Sequence, residues 1–84
     1  MNKNAINEEA KVIKLLQLHQ KVDRKIGLSN KSNRYLREGQ AYMNALFELD
    51  RQAYEDITAT EFDPFYDDNK LTAFFERLKT LGIG

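Results

Sequence analysis

The 84-residue chain contains no cysteine, no tryptophan, one proline, one histidine and no net charge. Without cysteine it has no disulfide framework, no thiolate zinc site and no cysteine nucleophile. His19 stands alone, whereas a catalytic metal takes about three protein ligands and a nucleophile needs a base beside it. Long apolar runs are missing too. Residues 1–10 read polar and then charged, with nothing near the ~7 to 15 apolar residues of a signal peptide or the ~20 of a membrane span. The expectation is a cytoplasmic protein with no membrane partner.

What is present fits one globular domain over residues 1–84. The hydrophobic fraction of 42% and nine aromatic residues argue against disorder. A chain this short buries roughly 60 to 65% of the surface its unfolded form exposes, so stability rests on a few well-packed helices or on a second copy, and homo-oligomerisation is an open expectation.

The zero net charge conceals two unlike halves. Residues 1–39 carry nine Lys/Arg against four acids, and residues 40–84 carry four against nine, giving +5 and −5. Such halves can pair internally, stack head to tail, or leave a basic patch for an anion.

Helical periodicity dominates. Ala5, Val12, Leu15, His19, Val22 and Ile26 recur at spacings of three and four, and Ile6, Ile13 and Leu16 widen the stripe. Asn4 or Asn7 is expected to cap this helix, and Gly27 to end it with Leu28 folded back onto Val22. Residues 29–33 read as a tight connection in which Ser32 or Asn33 caps a second helix from Arg34 to Leu49. That helix places Leu36, Gly39, Tyr42, Met43, Leu46 and Phe47 on an apolar side. Arg37, Ala41, Asn44 and Glu48 fall on the other side, with Gln40 at the margin. A glycine inside a helix costs about 1 kcal/mol, so Gly39 implies close approach of the first helix or an aromatic ring. Asp50 either caps a short third helix over 51–57 or lies within a continuation of the second. Phe62, Phe65 and Tyr66 pin a loop over 58–69, and Asp68 or Asn69 caps a last helix carrying Leu71, Phe74, Phe75, Leu78 and Leu81 until Gly82 stops it. The fold expected is all-α: an antiparallel helical hairpin with one or two shorter helices packed across it.

Few constellations carry chemistry. The acids Asp63, Asp67 and Asp68 with Asn69 offer oxygen ligands, but lack the alternating spacing and closing glutamate of a calcium loop, and helix capping explains at least one of them directly. Glu48, Asp50, Glu55 and Asp56 fall on wet faces, where nothing raises a carboxyl towards the range of a general acid. No catalytic residue, metal site or cofactor is expected. Lys21, Arg24, Lys25, Lys31 and Arg34 gather at the turn between the first two helices, where they could meet phosphates or merely match the helix dipole. Arg37, Gln40, Asn44 and Glu48 form a polar row. It is either solvated or a surface over which the 62–69 loop folds, with Tyr66 meeting Arg37 or Asn44.

Arg37-Glu38-Gly39-Gln40-Ala41-Tyr42-Met43-Asn44-Ala45-Leu46 and Asp63-Pro64-Phe65-Tyr66-Asp67-Asp68 resemble a family of small bacterial and bacteriophage proteins. In that family R-x-G-Q-x-x-x-N-A-L is followed by D-P-F-Y-x-D. The resemblance spans Arg37 to Leu78 and marks Arg37, Gly39, Gln40, Asn44, Phe65 and Tyr66 as a unit. The family carries no assigned activity, so a prokaryotic or phage origin is implied but no substrate. Tyr35, Tyr42, Tyr54, Phe62 and Tyr66 are the residue type that anchors interfaces. The sequence therefore points to a non-enzymatic module that binds a protein partner through Arg37, Gln40, Asn44, Phe65 and Tyr66. Nucleic-acid or nucleotide binding at the basic turn is the alternative.

Overall fold

A computed structural model describes residues 3–32 and 35–84, and the side chains among them from Glu8 onward. Among the described residues four α-helices follow one another: α1 (Lys3–Lys31), α2 (Glu38–Leu49), α3 (Arg51–Ile57) and α4 (Leu71–Thr80), with a 3-10 turn (Asp68–Lys70) leading into the last. No strand occurs among the described residues, and none of their helices is long and apolar enough to cross a membrane. The architecture is the expected all-α one. α1 and α2 form the hairpin, while α3 packs on α2 and on α4. One core joins them: Leu18 and Val22 of α1, Met43 and Leu46 of α2, Ile57 of α3, Phe74 and Leu78 of α4, and Ile83 beyond it.

The charged halves meet across the hairpin. Lys14 of α1 binds Asp50 at 2.5 Å, Lys25 binds Glu48, and Lys21 lies 3.8 Å from Glu48. Arg37 pairs with Asp68. Internal pairing thus accounts for much of the opposed charge.

Several helix boundaries differ from the sequence expectation. α1 is already helical at Lys3, so Asn4 and Asn7 lie within it, and it runs through Gly27 to Lys31. Leu28 does not fold back onto Val22; it is 59% exposed. A Cβ at Gly27 would meet nothing within 4 Å, so this glycine neither caps nor makes room for a neighbour in the chain. The glycine cap appears instead at the end of α4. Gly82 takes φ +87°, its N–H donates to the Lys79 carbonyl, and the Ile83 N–H reaches the Leu78 carbonyl at 2.9 Å. The Ile83 and Leu78 side chains that complete this Schellman motif are both buried.

The first helix also presents a different face. Leu18, absent from the expected stripe, is fully buried, whereas Val12, Ile13 and Leu16 are about half exposed at 49%, 54% and 54%. A stripe as wide as Val12 to Leu16 covers more than one side of a helix, and α2 covers only the side centred on Leu18 and Val22. Ala5 and Ile6, also placed on that stripe, have side chains outside the described residues.

The second helix starts at Glu38 rather than Arg34. Arg37 is extended at φ −72° and ψ 154°, and Gln40 reaches back so that its Oε1 accepts the Arg37 N–H at 3.2 Å. Ser32 does not cap α2, since its hydroxyl donates to the Leu28 carbonyl; Asn33 lies outside the described residues. On α2, Ala41 is buried rather than outward, and Phe47 is exposed rather than inward. The later elements follow expectation more closely. Asp50, extended at φ −152°, breaks α2 from α3 and its Oδ1 accepts the Ala53 N–H. Before α4 the capping carboxylate is Asp67, which accepts the Asn69 N–H, and not Asp68 or Asn69.

Candidate functional site

Residues 58–70 hold little regular structure yet are hydrogen-bonded turn by turn. Thr60 N–H donates to the Ile57 carbonyl, Asp63 to Thr60, Asp67 to Pro64, and Lys70 to Asp67. The first turn has Thr58 at φ −59°, ψ 137° and Ala59 at φ 63°, the type II pattern whose third position ordinarily takes glycine. Asp63 braces it from inside the loop. Its Oδ2 accepts the Ala59 N–H at 2.8 Å and its Oδ1 accepts the Phe65 N–H at 2.9 Å. The third turn places Phe65 and Tyr66 at its two central positions, where side chains project. Tyr66 is 85% exposed, and its ring meets Phe65 edge-on with centroids 4.8 Å apart.

This loop is fastened to the start of α2, so the two sequence stretches that form the R-x-G-Q and D-P-F-Y patterns are in contact. Arg37 Nη2 donates to the Phe65 carbonyl at 2.6 Å, and Nη1 lies 3.4 Å from Asp68 Oδ1. The Gly39 N–H donates to the same Asp68 oxygen at 3.0 Å. A Cβ on Gly39 would lie 2.0 Å from the Pro64 carbonyl oxygen and 2.8 Å from Asp68 Oδ1. The close approach expected at Gly39 is present, but the neighbour is the Pro64 backbone rather than α1 or an aromatic ring. Pro64 itself is buried.

The five residues expected to face a partner therefore divide. Arg37 and Gln40 bind their own chain, and Phe65 is half-buried; Tyr66 is presented outward. Tyr66 does not reach Arg37 or Asn44 as the sequence suggested; its ring contact is with Phe65. Asn44 is exposed and lines a separate groove with Lys25, Leu28, Ser32 and Leu36. Grooves also flank Tyr66. One of about 140 Å³ is lined by Met43, Tyr54, Thr58, Asp63 and Phe65, and one of about 390 Å³ by Thr58, Thr60, Asp67 and Lys70. Of the other aromatics, Tyr35 is 84% exposed, but Tyr42, Tyr54 and Phe62 are half-buried.

The basic turn is partly neutralised. Lys21 and Lys25 face Glu48, whose carboxyl is held below its usual range chiefly by the hydrogen bond from Lys25. Arg24 and Lys31 are exposed, and Arg34 lies outside the described residues. Asp50 is likewise lowered, first by the hydrogen bond from Lys14 and further by the Ala53 N–H. Both shifts run opposite to what a general acid needs. His19 packs inside the helix bundle: its Nδ1 shares a 2.7 Å hydrogen bond with the Tyr42 hydroxyl, and its ring lies against Phe75. Burial pushes the Tyr42 phenol up, aided by Glu38 and Asp23. Among the described residues no group of three or more His, Asp or Glu side chains is arranged to hold a metal ion.

The residue that sequence reasoning missed is Asp68 as the cap of α2, since 29 positions separate it from the Gly39 N–H it accepts. No family model, no curated protein and no solved structure matches this chain.

Proposed function

We propose that this protein is a non-enzymatic binding module that engages a protein partner through the Tyr66 turn. The observation that carries this reading is an 85% exposed tyrosine on a turn closed by the Asp67 N–H to the Pro64 carbonyl, with both the N–H and the carbonyl of the preceding Phe65 held by side chains. An aromatic ring is a common interface anchor, and one displayed on an ordered loop loses little conformational freedom on binding. The flanking grooves give a partner somewhere to insert side chains. In this reading Arg37, Gln40 and Gly39 position the turn, Phe65 supports Tyr66, and Asn44 belongs to a secondary contact.

The resemblance to small bacterial and bacteriophage proteins favours a regulatory or accessory role in a prokaryotic cytoplasm. The basic turn supports the alternative of nucleic-acid binding less well, because Glu48 already neutralises Lys21 and Lys25. Affinity capture from bacterial lysate tests the proposal, comparing the parent chain with Tyr66→Ala under nuclease treatment. A protein recovered by the parent and lost with the variant, at unchanged melting temperature, is the expected result. Identical recovery by both, or recovery abolished by nuclease, overturns it.

A further inference from the structure

We propose that the hollow between α1 and α4 binds a small aromatic carboxylate, with Lys79 and His19 at its charged end and Leu15, Phe75 and Ile83 around its ring. α1 packs along α2 and α4 against α3, which leaves a gap between α1 and α4. The gap holds a cavity of about 250 Å³ whose walls are Leu15 and His19 of α1, Phe75 and Lys79 of α4, and Ile83 beyond it. Each helix contributes two residues one turn apart. At the Leu15 end the chain returns to α1, where the Gly84 N–H donates to the Lys11 carbonyl at 2.9 Å. Spaces between the helices of a bundle are a usual place for small-molecule sites, which are mostly apolar with a few polar groups that fix orientation.

Two polar groups in an otherwise apolar wall select the occupant. His19 Nδ1 is taken by the Tyr42 hydroxyl at 2.7 Å, while Nε2 has no partner among the described residues. When Tyr42 donates to Nδ1, the imidazole carries its proton on Nε2 and offers a hydrogen bond to the hollow. Lys79 is exposed and, among the described residues, pairs with no carboxylate. A cation and an N–H donor over apolar walls fit a carboxylate, and no acid lines the cavity. Phe75 lies against His19 and Gly84 against Leu15, so α4 runs antiparallel to α1 and Lys79 falls on the Leu15 side of His19. The acids that act on Tyr42 are at the other end: Asp23 is one turn past His19, and Glu38 one turn before Tyr42 on the antiparallel α2. Glu76 of α4 lines the separate groove beside Phe62. The rings of His19 and Phe75, with centroids 5.7 Å apart and tilted by 48°, offer edges and faces against which an aromatic body packs well. The cavity falls below the ~300 to 1,000 Å³ of drug-sized sites, which limits the ligand to about ten non-hydrogen atoms.

Titration of the full chain with phenylacetate, followed by two-dimensional proton–nitrogen NMR, tests this, and no residue of the Tyr66 turn takes part. Saturable shifts confined to the α1 and α4 residues around His19 and Phe75 are expected, with a Kd of about 0.1 to 1 mM for so small a ligand. Phenylacetamide, alike in shape but uncharged, should bind at least ~5-fold more weakly, and phenethylamine more weakly still. Because Lys79 is exposed, Lys79→Gln should melt with the parent yet bind phenylacetate at least ~5-fold more weakly, whereas Lys79→Arg should keep the affinity. Shifts that do not saturate below about 10 mM, shifts centred on another surface, an amide or amine that binds as tightly as the acid, or unchanged affinity in Lys79→Gln would each overturn the proposal.

Discussion

Asp68 caps a helix that begins thirty residues before it: its Oδ1 accepts the Gly39 N–H at 3.0 Å and lies 3.4 Å from Arg37 Nη1. A side-chain cap usually comes from the residue at the helix start. Here that residue is Arg37, which has no acceptor to offer, and the carboxylate arrives from the loop. Removing it leaves a buried N–H and a half-buried guanidinium with fewer partners. Asp68→Ala should therefore cost about 1 to 2 kcal/mol, and Asp68→Asn, which keeps an acceptor but not the charge, less. Urea denaturation measures both. Equal stability of Asp68→Ala and the parent would contradict the assigned cap.

Gly39→Ala is expected to disrupt the contact between α2 and the loop. Its Cβ would stand 2.0 Å from a backbone oxygen of Pro64, which cannot rotate aside as a side chain could. Separating α2 from the loop should lower stability by at least about 2 kcal/mol, or about 10 °C in Tm for a domain of this size. A calorimetric Tm within a degree or two of the parent would rule out the contact.

Gly27→Ala should have the opposite sign. The position is inside α1 with open space around it, so alanine gains helix propensity with no steric cost. An increase of about 0.5 to 1 kcal/mol is expected. A loss of stability there would mean that α1 stops at Gly27, as sequence reading alone had it.

Acid should weaken the fold partly through Asp50. Its folded pKa lies below the ordinary 3.8 because Lys14 and the Ala53 N–H bond the charged form. A depressed carboxyl contributes stability above its unfolded value, and that contribution is lost as pH falls through the folded value. Denaturant midpoints should thus drop below about pH 4, and Asp50→Asn should reduce the size of that drop while retaining an acceptor for the cap. An unaltered pH profile in Asp50→Asn would remove Asp50 from the account.

The helices were readable where apolar residues and caps agree within a few positions. Asp50 and the third helix, and Gly82 after the fourth, are local signals with local causes. The errors arose where the cause is distant. Gly27 and Gly39 are both glycines near helical stripes, and only the tertiary fold tells them apart: one faces open space and the other a proline carbonyl. Leu18 falls outside the stripe that the sequence marks, because the apolar residues of α1 span two faces and which is covered depends on where α2 lies. Of the candidate site, the resemblance marks the R-x-G-Q and D-P-F-Y stretches as a unit, and a loop folded over the start of α2 is one of the two readings the polar row allows. That Arg37 serves the Phe65 carbonyl, leaving Tyr66 as the presented ring, is legible in neither.

Ala59 bears on how the loop trades durability against shape. At φ 63° it occupies a backbone state that costs an alanine roughly 1 kcal/mol and a glycine almost nothing. Glycine there would relieve the tension but also admit many other conformations of the chain around Asp63. The methyl group raises the energy of the bend and at the same time closes off alternative conformations that a glycine would sample. A small, permanent discomfort beside α3 thus narrows the shapes through which Tyr66 can be displayed.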